Sequence, residues 1–363
     1  MKVFLAGDIC PTTLNESYYK AMDAQTLFGD VADVMAQSDV SVINLECALG
    51  EAGAPIPKFG PNLRGCKETA QTLKKAGVTL CGISNNHFFD FGKAAALDTL
   101  ELLHAAGLDT VGFGENYEDS RKNYIVEKDG QKICFIAVCE HEYSYALPDR
   151  MGCRPYDPYD TIWDIREAKK EYDRVIVLYH GGKEHCRYPS PRLRQAFRAM
   201  AKNGADVIVG QHSHCISCYE EYEGSHLLYG QGNFNFLFGD DPECWFTAME
   251  LIYDTKTNAV TFVPTVQKIE NGSVRLAQGA EKEEIMAGFA ARNQSLADGT
   301  WLDGWRAFVE QVKPSYWRVI ANACVPDADE RTNAVFGHYL DCEAHHDVWV
   351  ELFPTYNQTN EKS

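Results

Sequence analysis

Asp8, Asn44, Glu46, Asn86, His87, His180, His212 and His214 are the residues of this 363-residue chain whose types could do chemistry together. Each follows a short apolar run. Asp8 closes KVFLAGD, Asn44 and Glu46 close SVINLE, Asn86 and His87 follow LCGISN, His180 closes RVIVLYH, and His212 and His214 follow DVIVGQ. Carboxylates mixed with neutral imidazoles suit Zn²⁺, Mn²⁺ or Fe²⁺, whereas an all-oxygen set would suit Mg²⁺ or Ca²⁺. His212 and His214 stand at i and i+2, a spacing from which two imidazoles converge off a bent loop. A carboxylate can bridge two ions, and ions roughly 3.5–4 Å apart bind both the attacking and leaving oxygens of a displacement. The expected cofactor is therefore a divalent transition metal, two ions per chain or one, and the expected chemistry is hydrolysis.

Each residue alone has a plainer explanation. Asp8 could cap the following segment, Glu46 could be a solvated loop carboxylate, and Asn86-His87 could be a turn. His180 could be a satisfied buried histidine. The metal reading rests on five strand ends delivering such residues together, because successive loops converge at the carboxyl edge of an open α/β sheet.

The elements that must position these residues are legible as alternation. KVFLAG, SVIN and VTLCGIS are strand-like, and between them lie a helical pattern through Ala32 to Met35 and KETAQTLKKAG; KAAALDTLELLHAAG follows as a helix. This rhythm predicts a largely parallel sheet with helices on its faces. NYIVEK and KICFIAVC flank Asp129-Gly130, a hairpin signal. RVIVLYH, a helix from about Pro191 to Asn203, and DVIVG resume the rhythm. HLLYGQGNF, WFTAMELIYD and AVTFVPTVQKIE lack intervening helices, so antiparallel pairing is expected. From about Glu281 the patterns are helical, including EEIMAGFAARN and GWRAFVEQV, with Pro314 and Pro326 read as breaks. The expected organisation is one α/β domain over residues 1–270 and a helical C-terminal extension over 271–363. TYNQTNEKS at the end is polar and expected to fray.

Acidic residues outnumber basic ones by 52 to 34, a formal charge of −18, which disfavours nucleic acid and anionic membrane as partners. An anionic substrate, small molecule or polymer, would need a local positive feature such as a bound cation. The thirteen cysteines are scattered singly, which favours reduced thiols. MKVFLAGDIC enters a strand at once, and no run approaches the roughly 20 apolar residues of a membrane span, so a cytoplasmic protein without an integral membrane segment is expected.

AGDIC, VINLECALG, AGVTLCGISNNHFFDFG, LYHGGKEH onward to Pro191, NGADVIVGQHSH and LLYGQGNFNF together resemble the CapA family of bacterial capsule and poly-gamma-glutamate synthesis, a branch of the calcineurin-like metallophosphoesterases. The resemblance covers about Met1 to Glu270 and implies the calcineurin-like fold, a β-sheet core flanked by helices. It implies Asp8 and His214 at one metal position, Asn86, His180 and His212 at the second, and Glu46 as bridge. It also implies that His87 faces the leaving group as general acid or charge stabiliser. Asp90 could orient His87 or simply favour a helix's first turn. Glu184 would bind substrate or support a ligand. Arg64 would meet an anionic group or lie on the surface, and Asn233 would line the site edge or form a turn.

Two positions depart from the wider superfamily. Cys10 replaces the histidine of Asp-x-His, either as a thiolate ligand or as an inert buried cysteine. Asn44-Leu45-Glu46 replaces Gly-Asp-x-x-Asp. The implied activity is a metal-dependent hydrolase using metal-activated water on a phosphoester or gamma-glutamyl bond. A non-catalytic subunit that binds polymer or assists assembly is the alternative. His345-His346 lack a Cys-x-x-Cys partner, so no further metal site is expected in the extension.

Overall fold

In the computed structural model, which describes residues 1–353, the longer strands form, beside two short two-stranded pairs, two mixed sheets packed face to face. Fourteen strands build them: β1 Lys2–Ile9, β2 Val40–Leu45, β3 Leu80–Gly82, β4 Asp109–Val111, β5 Tyr124–Lys128, β6 Gln131–Cys139, β7 Arg174–His180, β8 Val207–Gln211, β9 Tyr219–Tyr222, β10 Ser225–Leu228, β11 Asn233–Asn235, β12 Thr247–Asp254, β13 Ala259–Gln267 and β14 Val274–Leu276. The first sheet runs β14-β13-β12-β1-β2-β3-β4, with β11 also on β1; the second runs β9-β10-β8-β7-β6-β5. The sequence rhythm predicts one largely parallel sheet. Two sheets form because the chain leaves the first after β4 and builds the second around the β5–β6 hairpin, whose turn places Asp129 and Gly130 at φ 54° and 73°.

The helices are α1 Ala24–Ala36, α2 Gly92–Ala105, α3 Asp160–Glu171, α4 Pro191–Lys202, α5 Gly279–Asp298, α6 Trp301–Ala323, α7 Glu330–Asp341 and α8 Glu343–Leu352, with shorter turns between. Alternation along the strands sorts the core into layers. Val3, Leu5 and Val42 of the first sheet meet Phe135, Ile176 and Val209 of the second. Phe4 and Ile43 face Leu27 and Phe28 of α1; Val175 and Val177 face Phe197 of α4. The result is a helix–sheet–sheet–helix sandwich with both faces of each sheet's central strands buried, an α/β architecture of sheet core and flanking helices. Ser190 caps α4 by accepting from Leu193 N, and Pro191 opens it, as the sequence signals.

Two further expectations change. HLLYGQGNF is not one strand: β10 pairs antiparallel with β9 and parallel with β8, and β11 crosses over to pair parallel with β1. The crossing passes Gly232 at φ 86°, a backbone that a side chain would strain. Pro314 lies inside α6 and does not end it. The apolar face formed by Trp301, Trp305, Val309 and Tyr316 is buried continuously past the proline, and that packing outweighs the ~3 kcal/mol cost of an interior proline. The helical extension begins at Gly279, after β14 has paired with β13. The polar stretch Thr355–Ser363 lies outside the described residues. Among the described residues no helix is long and apolar enough to cross a membrane, and the thirteen cysteines are unpaired.

Candidate metal centre

The parallel pairing of β1 with β2 and β11 puts Asp8 level with Asn44 and Asn233, and pairing of β7 with β8 puts His180 level with Gln211. The carboxyl ends of both sheets thereby face one buried cluster. Close packing at this edge is demanding: a Cβ on Gly7 would come within 2.2 Å of Gly232 O.

Two groups emerge, Asp8–Glu46–His214 and Glu46–His180–His212, each with its donor atoms within 4.8 Å of one another and with Glu46 common to both. Asp8 Oδ1 accepts from Asn44 Nδ2 at 2.7 Å, and Oδ2 accepts from the His212 amide at 3.0 Å. His180 Nδ1 lies 3.1 Å from Asn44 Nδ2, while its Nε2 lies 3.0 Å from Asn86 Oδ1, 3.2 Å from His212 Nδ1 and 3.4 Å from Glu46 Oε1. His214 Nδ1 is held at 2.8 Å by Asn233 Oδ1 and lies 3.6 Å from Asp8 Oδ2. His212 and His214 both have positive φ, 81° and 55°. Such backbone costs of order 1–3 kcal/mol per residue and persists where surrounding structure over-determines it.

Glu46 is fully buried, and neither of its carboxylate oxygens has a hydrogen-bond partner. Burial and the nearby Glu184 and Glu142 push its pKa well up, and burial with Glu46 lifts Asp8 to about 7. Burial drives His180 down to about 4 and His214 to about 3, so these two imidazoles stay neutral. Orphaned carboxylate oxygens surrounded by neutral imidazoles lack a positive charge. A divalent cation fits that donor set, since it satisfies both oxygens and accepts neutral nitrogen.

Beside this cluster, His87 Nδ1 is 2.6 Å from Asp90 Oδ2, and Asp90 also accepts from Lys58 Nζ at 2.6 Å and from the Leu63 amide at 2.7 Å. Burial and Lys58 hold His87 below the usual imidazole value against the pull of Asp90. Glu184 lines the same cavity as His87 and His212; burial opposes its ionisation, while Lys183, the largest opposing influence, helps lower its pKa. Arg64 is elsewhere: it donates to the Gly50 and Ala52 carbonyls at 3.0 and 2.9 Å and lies 3.7 Å over the Phe91 ring, outside the cavity lining. Asn233 is buried behind His214. Cys10 packs in the apolar core, its thiol 3.5 Å from Pro11 O and its pKa pushed up by burial, and it belongs to neither donor group.

Three contributors carry no sequence signal of their own. Asn85 spans Asn44 Oδ1 at 3.0 Å and Leu45 O at 2.8 Å, and accepts from the His87 and Phe88 amides. Lys58 reaches Asp90 from an irregular loop. Glu142 lies 3.6 Å from His212 Nε2. Only the doubled asparagine in SNNHFFD hinted at the first.

A shared buried carboxylate at the carboxyl edge of an α/β sandwich defines a protein built around a candidate metal centre. Residues 2–237 match the family model described as bacterial capsule synthesis protein PGA_cap, and the chain belongs to that family. It is 37% identical over 240 residues to the PGA biosynthesis protein CapA of Bacillus subtilis (strain 168), covering 63% of this chain and 62% of that one. It is 31% identical over 181 residues to the capsule biosynthesis protein CapA of Bacillus anthracis, covering 48% and 44%. The chain thus spans less than two thirds of the length of these relatives. Among solved structures, a putative 5'-nucleotidase from Staphylococcus aureus, in complex with alpha-ketoglutarate, aligns with TM-score 0.46 at 13% identity over 80% of this chain and 58% of that one. A hypothetical protein from Thermus thermophilus aligns with TM-score 0.45 at 14% identity over 77% and 100%.

Proposed function

We propose that the protein is a metal-dependent hydrolase of the metallophosphoesterase kind, holding two divalent transition-metal ions and cleaving a phosphoester or γ-glutamyl bond in an anionic substrate of capsule polymer metabolism. The observation that carries this reading is Glu46, fully buried, with two unpartnered oxygens shared between two donor triads. Asp8, Glu46 and His214 would hold one ion, and Glu46, His180 and His212 with Asn86 the other. Bound there, such cations polarise the scissile bond and lower the pKa of water toward neutrality. Asn44 and Asn85 keep Asp8, His180 and the His87 turn in register. Asp90 accepts from His87 Nδ1, which leaves Nε2 to exchange a proton with the departing atom while the carboxylate stabilises the doubly protonated ring. Lys58, paired with Asp90, and Lys183 line the cavity beside Glu142 and Glu184, so an anionic substrate would rely on the bound cations together with Lys183. Family membership supports the capsule context.

Elemental analysis of protein purified without chelator should find near two equivalents of Mn, Fe or Zn, lost in the His212→Ala/His214→Ala variant. Hydrolysis of a chromogenic phosphoester or a γ-glutamyl anilide should follow the metal. No metal, even after add-back, would overturn the reading.

A further inference from the structure

The cavity before the metal centre is walled on one side by the extension. It measures about 190 Å³, and besides Lys58, His87 and Glu184 its walls include His338 and Tyr339 of α7 and His345 of α8. Buried charge seats these helices. Arg192 joins Glu140 at 2.5 Å and Asp347 of α8 at 2.8 Å, and the Ala344 amide donates to Glu140 at 3.0 Å. His338 is held in place by ring contact with Tyr143, centroids 4.7 Å apart. Its Nε2 lies 3.7 Å from Glu142 Oε1, while Glu142 Oε2 lies 3.6 Å from His212 Nε2. Both separations exceed hydrogen-bond length, so a ligand oxygen can take up either nitrogen. Lys58 and Lys183 line the same space, and its volume falls below the roughly 300–1,000 Å³ of pockets that enclose drug-sized ligands.

Resting on the metal-centre reading above, we propose that His338 is a substrate-contact residue and that α7 and α8 are the selecting wall of the cavity, which admits a small anion or the terminal anionic unit of a polymer and excludes an internal segment. The extension, outside the family match, then sets which part of a substrate reaches Glu46.

Calorimetric titration of the full, metal-supplemented chain with inorganic phosphate tests the contact. His338→Phe keeps the ring against Tyr143 and removes both nitrogens, and His338→Ala removes the ring as well; thermal melts confirm folding. Both variants should keep the native metal content and bind phosphate about ten- to hundredfold more weakly, on the order of one hydrogen bond to a charged group. Native affinity in a folded variant overturns the contact, as does a failure of the native chain to bind phosphate with or without metal. Selection is read by competition: a two-residue γ-glutamyl peptide should displace phosphate, and poly-γ-glutamate with both ends blocked should not. Equal displacement by the two overturns the selecting wall. A native chain without metal would defeat the hydrolase reading separately, and the same phosphate comparison on metal-free protein would still decide the role of His338.

Discussion

With both Glu46 oxygens buried and unpartnered, burial holds its pKa in the metal-free chain well above the usual carboxylate value, and Asp8 is lifted from 3.8 to about 7. A carboxyl whose folded pKa is raised contributes stability that is full below its unfolded pKa and lost as pH rises through the folded one. Between about pH 4 and pH 7 the raised carboxyls therefore cost the chelated protein stability while the lowered imidazoles of His180 and His214 return it, so the carboxyl effect is read as a difference: Glu46→Gln should gain on the chelated native chain as pH rises and be at least as stable at neutral pH. The same substitution should abolish the rise in Tm on adding Mn²⁺ or Zn²⁺, read by melts with and without chelator. A native chain whose melting ignores metal would count against the centre. At His87, the proposed proton carrier, His87→Ala should keep the metal and lower kcat by about 10²- to 10⁴-fold, the usual range for a positioned acid or base. Asp8, Glu46 and the histidines were legible because each ends an apolar strand. Lys58 and Glu142 were not, since PIPKFGPN and EHEYS are irregular loops whose side chains meet the site only through tertiary folding.

At the scale of elements, the strand and helix rhythm carried the α/β core because both faces of each sheet's central strands are covered, which writes itself as apolar runs with helices between. What escaped was how strands are shared between two sheets: the β10–β11 crossing depends on close glycine contacts, invisible to hydrophobic periodicity. The docking of α8 also escaped, because its partners lie some two hundred residues away in sequence. His141 donates its amide to Glu343 Oε2 at 2.8 Å and brings Nδ1 within 2.7 Å of Oε1. That hydrogen bond to Glu343, against a smaller opposing effect of burial, raises the His141 pKa above 6.5. A raised histidine contributes stability that is present below about pH 6.5 and lost as pH climbs through the folded value. Melts of native protein and Glu343→Gln should therefore differ most near pH 6 and converge toward pH 8, with native the more stable at the acid end. A difference that is constant with pH would mean that the pair is neutral.

Across the whole molecule, one charge network ties the sandwich to the extension. Arg192, on α4 of the second helix layer, holds Glu140 from the end of β6 and Asp347 from α8, with Ser190 Oγ donating to Asp347 at 2.5 Å and Tyr179 OH to Glu140 at 2.8 Å. Against the cost of burial, Arg192 keeps Glu140 below the usual carboxylate range. Removing one member of a buried pair costs about 3–5 kcal/mol because the other charge is left uncompensated, whereas replacing the whole set with apolar groups is often neutral. Arg192→Met should therefore strand Glu140 and Asp347 and loosen α7 and α8 ahead of the sandwich, whose layers keep their own apolar cores. Hydrogen exchange should show protection lost over Glu330–Leu352 with β1, β7 and β8 unchanged, and the triple variant Arg192→Met/Glu140→Leu/Asp347→Leu should recover much of it. Uniform loss of protection across strands and extension would instead show that the two unfold as one cooperative body. In that case the proposed wall could not move without unfolding the candidate centre beside it.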